Sequence, residues 1–401
     1  MPSTSRRIRP AFGYAPIILG AMAVCVALGF GIVVPVLPTF ASSFGVGAFA
    51  ASAVVSVFAF ARLVMSPLVG RLDDRFGERK VLIAGLLIVA VSSAAAGFSA
   101  SYVQLLVLRG LGGIGSAMFS VASMSILLGA VAPDLRGRAT ALYQGGFLIG
   151  GVAGPALGGL VGGMSMRAPF FVYAGTLVAA AAVASRLPRR ARDDAGGSST
   201  SPLRLGEVAK DVRFQAACVA NFCQGWNSHG VRSALVPLFV AGAIYDDPRL
   251  AARWTGVAMA IAACTQVLAL YPAGSIADKV GRRGPMIVGA ITSAVAMAAI
   301  PFAGNMAQVC AVLALYAVAS AISGTAPAAL VGDVAGTRRD RAVAVFSMSS
   351  DVGAIGGPLV AGFLADRVSF GVAFGVGAIA WAASAALSSR IRPVDSVAPG
   401  S

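Results

Sequence analysis

Charge is scarce in this chain: Asp, Glu, Lys and Arg together make up 12% of 401 residues, and the acids number 16. The single histidine, His229, leaves no set of imidazoles for a zinc-hydrolase site. The five cysteines, Cys25, Cys218, Cys223, Cys264 and Cys310, lie inside apolar stretches without metal-ligand spacing and read as packing residues. No GxxxxGK[ST] run occurs, so a phosphate-cradling loop is excluded. These absences predict neither a catalytic residue nor a metal site nor a cofactor, and a chain that is not an enzyme.

What fills the chain is apolar: 57% of residues are hydrophobic, well above the usage of soluble domains. Stretches of about 20 apolar residues recur, each long enough to cross a hydrocarbon core of roughly 30 Å. Twelve spans are expected, near 14–38, 47–69, 81–100, 103–130, 139–163, 169–186, 214–240, 254–273, 285–303, 308–331, 342–365 and 370–389. They are apolar on every face, whereas barrel strands alternate over about ten residues. The predicted fold is an all-α membrane protein with the lipid bilayer as its surroundings.

The formal net charge of +15 invites a nucleic-acid reading, which the placement of the charges rejects. With a cytoplasmic N-terminus, 24 of the 31 Lys and Arg fall in inner tails and loops, four in outer loops (Arg167, Arg249, Arg253, Arg367) and three inside spans. That is the positive-inside pattern. It predicts a multi-pass protein of the cell membrane with both termini cytoplasmic. The basic tail and first apolar run imitate a secretory signal, but about 25 apolar residues without a cleavage site fit a retained helix.

The stretch from Ser185 to Arg213 is rich in Gly, Ser, Pro and charge of both signs, as linkers are. It divides six spans from six. The expected organisation is a tail over 1–13, a six-helix half over 14–186, a linker over 187–213, a second half over 214–389 and a tail over 390–401. Across the linker, Pro35 corresponds to Pro237, Gly70 to Gly274, Asp74 to Asp278, Arg138 to Arg341, and Gly154-Pro155 to Gly357-Pro358, at offsets of 202 to 204. So steady an offset predicts two parallel repeats around a central cavity.

The repeated loop resembles the signature between helices 2 and 3 of the major facilitator superfamily. Its first copy carries Gly70, Asp74, Arg75, Gly77, Arg79 and Lys80, its second Gly274, Asp278, Gly281, Arg282 and Arg283. The fourth span, with LVLRGLGGIGSA around Arg109, is similar to that family's Arg-centred signature, with Gly112 where the family often has Gln. LGFGIVVPVLP in the first span and GGVAGPALGG in the fifth resemble the twelve-helix drug:proton antiporters, with Ala141 where the antiporter pattern has a glycine. The resemblance implies that helix 2 packs on helix 11 and helix 5 on helix 8, that Asp74 meets the start of helix 11 near Arg341, and that Asp278 meets helix 5 near Arg138. An acid there is stabilised by the helix dipole, typically by about 0.3 to 1 kcal/mol. The loop then acts as a conformational gate; its basic residues alone would also serve as a topology anchor.

Gly150, Gly154 and Gly158 share one helix face and permit close approach of another helix, while Pro155 removes a backbone donor. Gly357 and Pro358 repeat that feature. Four charges lie within spans: Arg62, Arg109, Arg232 and Asp351. Each is costly unless paired or wet, so each is a functional candidate. Arg62, about 12 Å into the second span, and Asp351, about 15 Å into the eleventh, have nearly matched depths. They are expected to approach each other, making Asp351 the candidate proton carrier or a partner in a structural ion pair. Arg109 is a candidate for coupling or for contact with cargo. His229 and Arg232, three apart and expected on one face, with Trp226 one turn earlier, are candidates for lining the cavity. The expectation is a secondary transporter exporting small hydrophobic or drug-like molecules against protons, with no nucleic acid and no obligate protein partner. A symporter importing a sugar or organic acid, and a membrane receptor that transports nothing, are the alternatives.

Overall fold

The structure, a computed structural model, describes residues 14–132, 135–187, 211–335 and 339–391. Among these residues all regular structure is helical. The first half of the chain forms α1 (Tyr14–Val33), α2 (Leu37–Ser42), α3 (Ala48–Phe76), α4 (Glu78–Gly97), α5 (Tyr102–Ala130), α6 (Arg136–Met164) and α7 (Ala168–Ala184). The second forms α8 (Val212–Gln224), α9 (Arg232–Phe239), α10 (Pro248–Val280), α11 (Arg283–Ala299), α12 (Met306–Ala335), α13 (Arg339–Arg367) and α14 (Phe370–Ser389). The expected N-terminal tail, all but the first two residues of the expected C-terminal tail and most of the expected linker lie outside the described residues, as do the side chains of Asp278 and Arg341.

Ten of these helices are long and apolar enough to cross a membrane, and α7 is a shorter apolar helix of 17 residues. Two expected spans are broken. The first ends as α1 at Val33 and resumes as α2, because Pro35 and Pro38 each withdraw a backbone donor from the helical ladder. The seventh is interrupted by π-helical turns at Gly225–Val231 and Val240–Ile244, so that α8 and α9 are short α-helical pieces of one longer path.

Helix starts are set by side chains that accept otherwise orphaned backbone N–H groups. At α5 the Gln104 amide donates to Ser101 Oγ at 3.3 Å, while Gln104 Oε1 accepts from the Ala100 amide at 2.9 Å. At α12, 204 positions later, the Gln308 amide donates to Asn305 Oδ1 at 3.0 Å and Gln308 Oε1 accepts from the Gly304 amide at 2.8 Å. Helix pairing also recurs. A Cβ added to Gly85 of α4 would stand 2.7 Å from the Gly115 carbonyl of α5, and one added to Gly289 of α11 would stand 3.1 Å from the Ala319 carbonyl of α12.

The contacts divide the chain into two compact units. One holds the described residues of Met1–Val33, Phe60–Gly158 and Arg167–Gly196; the other holds those of Val34–Ala59, Gly159–Met166 and Gly197–Ser401. The second unit therefore includes α2, the first part of α3 and the end of α6. Its core gathers Val231, Leu235 and Phe239 around Tyr316, Phe374 and Trp381. Between membrane helices such contacts hold by close van der Waals packing rather than by removing apolar surface from water.

Candidate functional site

The repeated charged loop turns on a glycine of the same φ in both copies. Gly77 and Gly281 each have φ of +86°, a left-handed conformation that a side chain would strain. The following arginine reaches back in both. Arg79 Nη2 donates to the Ser185 carbonyl at the end of α7, and Arg283 Nη2 donates to the Ser389 carbonyl at the end of α14 at 2.7 Å. A guanidinium at the negative end of a helix complements its dipole. Gly70, Asp74 and Arg75 lie exposed in the last turns of α3, and a Cβ on Gly70 or Gly274 would meet nothing within 4 Å. Arg282 precedes α11 and is half-buried, while Arg138 at the start of α6 is exposed. The Glu78 carboxylate accepts from Ser125 Oγ of α5, tying the loop to its own unit.

The glycine stripes form two seams. Within the first unit α6 lies directly on the α1 backbone. A Cβ on Gly150 would stand 2.6 Å from the Leu28 amide, and one on Gly154 2.7 Å from Gly31 Cα. Gly158 meets Ile32 in the same way, and Pro155 lies against Gly31. Within the second unit a Cβ on Gly357 of α13 would stand 2.6 Å from the Trp226 carbonyl, and Pro358 closes on Gly230. The second stripe thus seats on the π-helical turn, where an i→i+5 ladder displaces the backbone from α-helical register.

That turn carries a polar cluster buried among apolar helices. Gln224 Nε2 donates to Ser320 Oγ at 2.7 Å, Ser228 and Tyr316 share a hydrogen bond of 2.9 Å, and Ser228 and Ser320 one of 3.3 Å. Asn227 Nδ2 donates to the Cys223 and Gly377 carbonyls at 3.2 and 3.3 Å. Gln224 Oε1, Asn227 Oδ1 and Trp226 Nε1 have no hydrogen-bond partner among the described residues, and the three side chains face α12, α14 and α13 respectively. Gln224, Asn227, Ser228, Tyr316 and Ser320 were not singled out from sequence. The polar run CQGWNSHG inside an apolar span is the signal that could have marked the first three.

His229 lies in the π-helical turn, and Arg232 is the first residue of α9 beyond it. His229 is exposed, whereas Arg232 is half-buried and within electrostatic reach of Tyr316. Arg109, in α5, is 5% exposed and within electrostatic reach of the buried Tyr173 of α7. Arg62 is half-buried in α3 and Asp351 half-buried in α13. All five cysteines are free, and Cys223 Sγ donates to the Ala380 carbonyl at 3.2 Å.

Comparison with known proteins agrees with this architecture. The chain is 32% identical over 158 residues to multidrug resistance protein 2 of Bacillus subtilis, covering 39% of each. It thus spans about two fifths of that relative's length. It is 25% identical over 349 residues to an uncharacterized MFS-type transporter of Methanocaldococcus jannaschii, covering 84% of this chain and 88% of that one. The crystal structure of a bacterial homolog of the human lysosomal transporter Spinster, inward-facing and occupied, shares the fold with a TM-score of 0.76 at 16% identity, over 98% of this chain and all of that one. The Major Facilitator Superfamily model matches residues 19–246 and 218–401. With these matches and ten apolar helices long enough to span a bilayer, the chain is a multi-pass membrane protein that belongs to the Major Facilitator Superfamily, a family of transporters rather than enzymes.

Proposed function

We propose that this transporter is a proton-coupled exporter of small hydrophobic or drug-like molecules, working by alternating access between two six-helix halves, residues 14–186 and 214–389, in the cell membrane with both termini cytoplasmic. The observation that carries the export reading is the α6 stripe, Gly150, Gly154 and Gly158, seated on the α1 backbone. It is the segment that resembles the antiporter signature, in a chain whose relatives include bacterial multidrug resistance proteins. The twofold organisation is supported by local geometry that recurs 203 or 204 residues on: the +86° glycines, the arginines on the last carbonyls of α7 and α14, the glutamine caps and the glycine–proline seams.

In this reading Asp74 and Asp278 are the cytoplasmic gate, each stabilised by a helix start while the inner ends of the halves are together. Asp351 carries the proton and Arg62 is its charge partner. An acid becomes easier to protonate when a stabilising cation leaves, so separation of the pair couples proton uptake to the conformational change. Arg109, His229 and Arg232, with Trp226, are the candidates for cargo contact. In this reading the proton gradient, not ATP, drives the cycle.

Uptake into everted membrane vesicles under an imposed, inside-acidic proton gradient tests the reading. An exporter accumulates a lipophilic dye or drug in these vesicles and releases it when the gradient is collapsed. A symporter expels substrate from them, and a receptor does neither.

A further inference from the structure

Within the second unit, the start of α3 is capped by a residue 318 positions away. The Ala48 amide donates to Asp366 Oδ1 at 2.7 Å and the Phe49 amide to Asp366 Oδ2 at 2.8 Å, so one carboxylate of α13 satisfies two orphan donors and faces the positive end of the helix. No acid lies in the first turn of α3 itself. Gly47 makes room: a Cβ there would stand 2.7 and 2.9 Å from the two carboxylate oxygens. Below this cap the helices run antiparallel in close contact. A Cβ on Gly362 would stand 2.8 Å from the Ala48 carbonyl, Phe49 and Phe363 meet edge to face at 6.4 Å, and Ser56 Oγ donates to the Ile355 carbonyl at 2.8 Å.

The comparable end of α6 is built differently. Gly163, 203 positions before Asp366, lies against the side-chain stem of Arg253 on α10, and α10 is capped by its own Asp247, which accepts from the Arg249 amide at 2.9 Å. A local cap survives any movement of the helix. A borrowed one exists only while α3 and α13 are together.

We propose that Asp366 is the positioning residue of an outer latch, a carboxylate lent by α13 to the start of α3 that favours the state in which the outer ends of these helices are closed. The assignment of this end as outer and the cycling between states rest on the alternating-access reading above. The latch adds a contact at the end of α3 opposite the charged loop, so that the two ends of one helix belong to two gates. Because Asp366 and Gly47 are exposed, water and salt compete with the contact, and the bias it supplies is modest and salt-dependent.

The test is a distance measurement that needs neither substrate nor gradient. The full chain, with its five native cysteines replaced, is reconstituted in nanodiscs with spin labels at Ser43→Cys and Val368→Cys, and pulsed electron resonance reads the populations of short and long separations in monodisperse protein. Asp366→Asn, which removes the charge, and Gly47→Ala, which pushes the carboxylate away, should each raise the ratio of long to short by about fivefold at low ionic strength, and the double variant no further. Asp247→Asn, which removes a local cap, should leave the ratio unmoved. Unchanged populations in both latch variants, additive effects of the two, or an equal shift in Asp247→Asn would overturn the latch. Absence of gradient-driven dye uptake by a wild-type chain with these distance shifts would count against the exporter reading while the latch stands.

Discussion

A buried or helix-end charge acts here through geometry that a similar side chain reproduces only in part. Arg79 and Arg283 each donate to a last-turn carbonyl, so Arg79→Ala and Arg283→Ala should each lower stability by about 1 kcal/mol. Thermal unfolding in detergent reads this, with lysine at either position restoring part of it. Arg109 offers a planar fork of donors that a lysine ammonium cannot copy. Substrate transport by Arg109→Lys should therefore fall well below wild type, and full activity would leave the fork no role. Asp351→Asn should abolish gradient-driven movement while sparing exchange of substrate across de-energised vesicles. Asp211 caps α8, and its carboxyl is held below the ordinary range first by the hydrogen bond from the Arg213 side chain. A depressed folded value means that this contribution is present above the unfolded pKa and lost as pH falls through the folded one.

At the scale of helices, the glycine seams are asymmetric around each helix, which makes them testable against their own neighbours. Gly154→Leu forces a side chain into the α1 backbone, where a Cβ already stands 2.7 Å from Gly31 Cα. Overpacking of this kind costs about 1 to 3 kcal/mol or more. Gly151, three residues earlier, has nothing within 4 Å of an added Cβ, so Gly151→Leu should be nearly neutral. Yields of monodisperse protein and melting temperatures compare the two directly, and equal losses would deny the seam its part in packing.

At the scale of the whole molecule, the charged loop and the Asp366 contact lie at opposite ends of α3 and are proposed to bias opposite states. Asp74→Asn and Asp278→Asn should each reduce transport while membrane insertion persists, and should weaken cysteine crosslinking across the cytoplasmic ends. Wild-type rates together with unchanged crosslinking in both variants would remove the inner gate.

Membrane residence, the helical class and the family were legible from the chain because each rests on local features: apolar runs of fixed length, the sidedness of Arg and Lys, and short motifs whose glycines need a particular φ. Gly77 and Gly281 could be paired on paper for that reason, and both adopt φ of +86°. What only the tertiary structure decided are the features that depend on a partner distant in sequence. The π turn at Gly225–Val231, which holds His229, leaves no mark in apolar periodicity, since it involves a change of hydrogen-bond register against the closely packed α13. Tyr316 and Ser320 read as ordinary residues of an apolar span until folding brings them to Gln224 and Ser228. Asp366 gave no signal at all, because an acid just beyond an apolar run is ordinary, and the two amides that give it a role lie 318 and 317 residues away.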